Sequence, residues 1–438
     1  MGDTNRYFFR GESVRSGLSV VDVDLDRKCP RRSSLVLSGT TPAGVFIGSI
    51  YAILAPAFDL SQPVTKSKVL AWVQITGRAG LESQAKFVQV GQIKEKAWDE
   101  IRAGCVAFLQ KLPTDRKVLV DIAKAVEEEV PDFRKQWDSH RGNNLWLQLA
   151  DQGPDQRLAK FTIQANSLSK TFEIKDHDGE FAQEFYNNLK PISLDSTKSI
   201  TLLIRRLDHI ARFRFMRDMK SSVPSLDHQI SVTMVSDPNE ADAEPSAGAQ
   251  KAGIPGGPYP VVHEQDVFLV VRNNSASHMG FSLIDFCSEF GIKQVWPCGQ
   301  GFKGIGPRER LVITTTLGIP THLLNYAKAQ GGVMETLKLF AVRPSTSLHM
   351  LEIPTLEALE SPPEFRGEHE NTDLTPTELY ELLGQSDIPL RGATCYEVVE
   401  HWQAINVSFC IKPSSMEGED EMSDSQLSEE ALNLCSDD

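Results

Sequence analysis

No segment of this 438-residue chain supplies the roughly 20 uninterrupted apolar residues that a membrane-spanning helix needs. The apolar stretch from Gly44 to Phe58 is too short, too broken by Pro and Gly, and too far inside the chain to read as a signal peptide. The Met1-Gly2 start has Arg6 where a myristoylation motif calls for Ser or Thr. A cytoplasmic protein is therefore expected. Cysteines are few: Cys29, Cys105, Cys287, Cys298, Cys395, Cys410 and Cys435 are scattered, and no two have the CxxC spacing that lets thiolates share one metal. Reduced thiols are the expectation, and the sequons at Asn273 and Asn406 are read as chance matches inside strands. HExxH, GxSxG and EF-hand loops are all missing, so neither a metal nor another cofactor is expected.

A basic excess is missing too. The formal charge is −14, and residues 413–438 hold nine acids with no Lys or Arg, leaving −5 for everything upstream. Such a tail cannot bury enough apolar surface to offset its chain entropy, so it is expected to be disordered. Its simplest role is to keep the protein soluble. The alternative is a phosphorylated docking tail, because Ser423, Ser425, Ser428 and Ser436 have acidic neighbours. Neither tail nor body offers the basic face that nucleic acid demands, so no nucleic-acid or membrane partner is expected.

What is present is a chain of globular composition, 40% hydrophobic and 24% charged, long enough for several cores. Composition shifts divide it into a seam at 1–32, a small β-module at 33–98, an α+β segment at 99–235, a Pro/Gly-rich linker at 236–260 and a β-sandwich at 261–412. An acidic, Pro-containing insertion at 351–376 interrupts the sandwich before its last strand, and the acidic tail at 413–438 follows. The fold class is α+β and β-rich: a small β-barrel or sandwich module, an α+β segment and a C-terminal antiparallel β-sandwich.

Short apolar runs between turn residues at 34–38, 44–54, 69–75 and 85–90 predict the strands of the small module. Strands are expected at 118–121, 145–149 and 159–165, with a helical stretch from Asp121 to Trp137. Thr197 to Met219 is the clearest helix. Ile200, Leu203, Ile204, Leu207, Ile210 and Phe213 recur at three and four residues, while Arg205, Arg206, Asp208 and Arg212 lie off that stripe and read as a solvated face. His209 reads as a packed or surface histidine. Strands at 266–273, 280–286, 291–297, 309–316, 335–342 and 406–411 make the sandwich, and Thr375-Pro-Thr-Glu378 offers a capped helix start in its insertion.

Candidate chemistry is sparse. Gly299 to Gly306 is Gly-rich, but a strand follows where a phosphate cradle needs a helix N-terminus, so it reads as a hairpin connection. Asp138-Ser-His140-Arg-Gly142 and Leu283-Ile-Asp-Phe-Cys287 are similar to the histidine and cysteine segments of caspase-like peptidases and stand in the same order. They depart from that pattern, because 147 residues and the linker separate His140 from Cys287 and His140 follows a helix. The expectation is that they do not form a catalytic pair.

The order of segments resembles the non-catalytic C-terminal region of fungal caspase-domain proteins. Asn5-Arg-Tyr-Phe-Phe9 is similar to the seam after the peptidase domain, and Gly44 to Ile53 to the opening of the β-module. Phe161-Thr-Ile, Phe172-Glu-Ile and Leu207-Asp-His-Ile-Ala-Arg-Phe213 are similar to the α+β segment, and Phe281-Ser-Leu-Ile-Asp-Phe286 to a recurrent strand of the attached sandwich. The resemblance implies a non-catalytic accessory region serving protein contact, autoinhibition or substrate presentation, with a protein partner such as a caspase-like peptidase. It also leaves open a cysteine endopeptidase whose catalytic domain lies upstream of this chain. A third reading, a ligand-binding sandwich, would draw on the loops carrying Trp296 and Phe302.

Overall fold

The computed structural model describes residues 18–26, 32–39, 45–56, 58, 66–79, 82–88, 93, 95–113, 116–139, 146–150, 159–177, 191–194, 197–220, 229–236, 239, 258–297, 302–342, 353, 355–356 and 402–413. Six antiparallel strands close a barrel: β1 (Leu18–Asp24), β2 (Ser34–Ser38), β3 (Ile50–Leu54), β4 (Val69–Ala79), β5 (Glu82–Val88) and β6 (Val106–Lys111), with β6 returning to β1. Alternation drives it: Leu35 and Leu37, Val73 and Ile75, Ala85 and Phe87 point inward onto Leu18, Val20, Tyr51 and Ile53. Two of the six strands come from outside the 33–98 window, β1 from the seam and β6 from the following segment. Without them the module would keep two open edges, which closure removes. Helix α1 (Glu95–Glu100) brings Trp98 against Phe87, ring centroids 5.2 Å apart.

The second unit is a five-stranded sheet in the order β11-β10-β9-β7-β8. Its strands are β7 (Val118–Ile122), β8 (Leu147–Leu149), β9 (Phe161–Asn166), β10 (Thr171–Asp176) and β11 (Ile192–Ser193). β7 pairs parallel to both β8 and β9. The helical stretch expected from Asp121 to Trp137 is two short helices, α2 (Lys124–Glu129) and α3 (Phe133–Ser139). Pro131 stands in the break, where its missing N–H and its ring prevent one continuous helix. The long helix α4 (Thr197–Asp218) follows β11.

The third unit is a sandwich. A three-stranded sheet joins β12 (Ile230–Val235), β14 (Gln265–Asn273) and β18 (Arg310–Leu317). It faces a six-stranded sheet of β13 (Tyr259–Val262), β20 (Trp402–Lys412), β19 (Val333–Val342), β15 (Met279–Phe286), β16 (Ile292–Trp296) and β17 (Lys303–Ile305). All its pairings are antiparallel except that of β13 with β20. Strand β12 lies inside the window assigned to the α+β segment, and β13 takes the last residues of the linker window. Helix α5 (Leu324–Gln330) ends at Gly331, which adopts the left-handed conformation with φ 74°. The Gly299–Gly306 connection contributes β17, which extends the sheet beside β15. The Thr375 helix start and the acidic tail lie outside the described residues.

Residues at odd positions of β15 and β19, such as Phe281, Leu283, Leu337 and Leu339, fill the sandwich interior. Those at even positions, Ile284, Phe286, Phe340 and Val342, join a second core built around α4. A sheet buried on both faces has no polar side, which explains the almost unbroken apolar character of β15. The same burial corrects the reading of α4 as a helix with a solvated face. Ile200, Leu203, Ile204, Leu207, Ile210, Phe213 and Met216 fill the core, but Arg206 and His209 are buried as well. Each fully buried apolar side chain of this size contributes about 1.5 to 3 kcal/mol. His209 Nε2 donates to the Phe290 carbonyl at 2.9 Å, tying helix to sandwich. Asp208 accepts the Trp146 backbone N–H at 2.8 Å, tying helix to the β8 edge.

The C-terminal turn of α4 is capped by a side chain distant in sequence. Lys338 of β19 is 1% exposed, and its Nζ donates to the carbonyls of Met216 at 3.1 Å, Arg217 at 2.5 Å and Met219 at 2.6 Å. These are groups a helix end leaves without intrahelical donors. Burial pushes the Lys338 ammonium down to about 7, opposed by the negative charge of Asp218. Lys338→Met keeps the stem but strands those carbonyls, so it should lower unfolding stability by about 3 kcal/mol. Chemical denaturation followed by far-UV circular dichroism measures this, and a change below about 0.5 kcal/mol would refute the capping role.

Candidate functional site

A cleft of about 480 Å³ lies where the three units meet. The barrel supplies Phe46 and Arg78, the five-stranded sheet and its approaches supply Arg116, Val118, Lys160 and Phe161, and β20 supplies Trp402. The last turns of α4 and the residues after it contribute Ala211, Arg214, Phe215, Asp218, Met219 and Lys220. Five of these side chains are cationic and one is a carboxylate. In a chain of net charge −14, that is a strong local inversion of sign.

Each wall has a local cause. The turn carrying Phe46 is held by Gly48, whose φ of 90° suits glycine and whose N–H donates to the Ile75 carbonyl at 2.8 Å. Arg78 follows a register shift in β4 between Ile75 and Gly77, a bulge that re-aims the strand end. Arg116 precedes β7, and its guanidinium sits 5.6 Å from the centre of the Phe46 ring. Phe46 meets Phe215 edge-on at 5.1 Å, and Phe215 lies 5.0 Å from Trp146, so the wall is a packed aromatic cluster.

Arg214 is the deepest cation. Its Nη1 and Nη2 donate to Asp176 Oδ1 and Oδ2 at 3.0 and 2.5 Å, with both side chains under a tenth exposed. The guanidinium also lies 5.1 Å from the Phe161 ring centre. This bidentate pair fixes the floor rather than adding net charge. Arg78, Arg116, Lys160 and Lys220 are the other cations of the lining, and Asp218 is its carboxylate. Nearby on α4, desolvation raises the Asp208 carboxyl to about 7 and lowers Arg212 to about 10, each opposed by the charge of the other. The cleft lining holds no His, Cys or Ser.

The residues weighed from sequence lie elsewhere or outside the description. His140 is outside the described residues. Cys287 follows β15, and its sulfur accepts the Gly291 N–H at 3.2 Å. Burial, with the negative charges of Asp285 and Glu289 adding to it, pushes this thiol up to about 12. A nucleophilic cysteine needs the opposite shift. Trp296 packs against the sandwich core, and Phe302 packs over Gly280 with its Cβ 3.2 Å from where a glycine Cβ would stand. Asn273 is fully buried, its amide donating to the carbonyls of Ser277, Ile305 and Gly306. Cys105, Cys287 and Cys410 are free thiols. Among the described residues no group of three His, Cys, Asp or Glu could hold a metal, and no helix is long and apolar enough to cross a membrane.

Sequence reasoning missed the cleft because its cations come from four separate stretches. Arg78, Arg116, Lys160 and Lys220 have no shared spacing, and each alone reads as a surface charge. No family model matches the chain, and no curated protein matches it.

A second group of acids sits beside Cys287. Asp285 lies diagonal to Glu335 across β15 and β19 on the same face, since Asp285 pairs with Leu337. Desolvation raises both carboxyls above the usual range, with Asp285 and Glu289 adding repulsion at Glu335 and Lys293 opposing the rise at Asp285. A carboxyl raised in the folded state contributes stability at low pH that is lost as pH rises through its folded pKa. Stability should therefore fall from about pH 5 into the mildly alkaline range, by on the order of 1 kcal/mol per pH unit at most for each proton released. Glu335→Gln should flatten that slope in urea titrations repeated across the range, and an unchanged slope would remove Glu335 as its source.

Proposed function

We propose that this chain is a non-catalytic interaction region of the kind found C-terminal to caspase-like peptidase domains, and that its junction cleft docks an acidic segment of a protein partner. The observation that carries this reading is the cluster of five cations over aromatic walls at the meeting point of all three units, in an otherwise acidic molecule. Cations on four separate stretches match a run of carboxylates along a peptide better than they match one compact anion, which would want donors converging on a point. Duplex nucleic acid is disfavoured by the −5 charge of the body outside its acidic tail. The raised pKa of Cys287 supports a binding role over a peptidase role for this chain itself. The free thiols support a reducing compartment, in keeping with a cytoplasmic protein. Docking of this kind would serve substrate presentation or restraint of a peptidase.

A fluorescein-labelled 15-residue peptide rich in Glu is a direct probe. Anisotropy with the intact chain should saturate below millimolar concentration and weaken on the order of tenfold as NaCl rises from 50 to 300 mM. Arg116→Gln with Lys160→Gln should weaken binding by about tenfold at low salt, while Lys328→Gln, on the sandwich helix, should leave it unchanged. No saturation by one millimolar, equal loss in the Lys328 variant, or citrate displacing the peptide at equal concentration would each overturn the acidic-peptide reading.

A further inference from the structure

We propose that one end of the sandwich is a proton-operated latch: with a proton shared between Asp285 and Glu335 the turn from Cys287 to Gly291 stays closed, and with both carboxylates ionised that turn opens and uncovers the Cys287 thiol. The inference is independent of the docking role proposed for the junction cleft.

Register places the two acids. Asp285 pairs with Leu337 and Phe286 with Thr336, so the next step of the ladder sets Cys287 opposite Glu335. Asp285 and Glu335 share the alternation of Phe281, Leu283, Leu337 and Leu339, which turns them toward the sandwich interior. Glu335 is 8% exposed, and among the described residues the buried Asp285 Oδ1 has no hydrogen-bond partner. One charge there is costly, and two adjacent charges more so. The groups around them offer little relief. Lys293 pairs with Asp285 from β16 but is exposed, and Glu289 of the turn is a third acid, paired with His322 of the 3-10 turn Thr321–Leu323 at 3.0 Å. Across β20, Phe409 separates Glu335 from Tyr259. His263 accepts the Ile319 N–H at 3.1 Å, Lys328 of α5 is exposed, and the opposite sheet turns Val267, Leu269, Ile313 and Leu317 inward.

The turn itself is closed under strain. Phe290 adopts the left-handed conformation at φ 61°, which costs a non-glycine residue about 1 kcal/mol or more. Gly291 packs so closely that a Cβ there would stand 2.9 Å from Cys287 Sγ and 3.1 Å from Thr355 Cγ2. Closure rests on the His209 bond to the Phe290 carbonyl, on the Leu356 N–H donated to the Glu289 carbonyl at 2.9 Å, and on the Glu289–His322 pair. Desolvation raises both the Asp285 and the Glu335 carboxyl, so the second ionisation comes as pH rises past neutrality and is relieved by admitting water. Raised carboxyls favour the closed form at low pH and lose it as pH rises.

Hydrogen exchange of the full chain, read by mass spectrometry on peptides covering 286–293 and 265–273, tests this. With intrinsic exchange divided out, protection at 286–293 should fall by about tenfold from about pH 6 to about pH 9, while that of β14 at 265–273 holds. Glu335→Gln and, separately, Asp285→Asn should each remove the fall. At about pH 9, N-ethylmaleimide should label Cys287 on the order of tenfold faster in the wild-type chain than in Glu335→Gln, the opposite of what losing a nearby negative charge does to a thiol. Constant protection in the wild-type chain, a fall shared by 265–273, a fall retained in either variant, or labelling of Glu335→Gln as fast as wild type would each overturn the latch.

Discussion

The structure depends on the way the last turn of α4 is held by the sandwich. A helix buried on most of its circumference still ends in carbonyls that need donors, and here water cannot supply them. Lys338 reaches from β19 through the α4 core, between Phe286 and Phe340, and donates to three of those carbonyls. Asn406 of the neighbouring strand adds a longer contact to Arg217 at 3.4 Å. Burying an ammonium costs several kcal/mol, and only multiple well-placed acceptors make the arrangement tolerable. The result is a fixed position of the helix end relative to the six-stranded sheet.

That fixed end determines the cleft. Arg214, Phe215, Asp218, Met219 and Lys220 all lie at the helix terminus, while Trp402 comes from the strand beside β19. The negative end of the helix dipole is met from within by Lys338, and cations at the terminus add to that compensation. Arg214 is engaged by Asp176 on the other side, so the five-stranded sheet is locked to the same point. Phe46 of the barrel is held there by its edge-on contact with Phe215. Three units thus converge on one helix end, and the cleft is the space their packing leaves at that corner.

Sequence patterns revealed most strands, because alternation reports a one-sided sheet directly. Glu82 to Val88 shows it, a barrel strand with one face inward that overlaps the run expected at 85–90. The rule fails where burial is two-sided or contacts are remote. Helix α4 has a clear three-and-four spacing of apolar residues, yet Arg206 and His209 on its other side are buried too, because a second sheet covers that side. Nothing local marks that cover. Leu18 to Asp24 gave no signal as a barrel strand because a register shift between Val20 and Asp22 breaks its alternation and β6, one of its two partners, is distant in sequence. Nothing local marks Lys338 as a cap, and only the position of α4 makes it one. The cleft was illegible for the same reason: its charges converge only in three dimensions.

The contrast between the two charged environments argues where function resides. Around Cys287, acids are gathered in a desolvated corner, so the thiol is driven away from its reactive form and Glu335 is driven toward neutrality. Such a corner disfavours every negative charge, including a thiolate, a developing oxyanion or an acidic ligand. At the junction cleft the charged side chains are mostly cations set among aromatic rings. On the proposed reading, an acidic ligand belongs at that corner and not beside Cys287. Because the walls come from different units, anything bound there favours the assembled arrangement over one in which a unit has swung away. Ligand occupancy and the packing around the end of α4 are thermodynamically linked, each supporting the other.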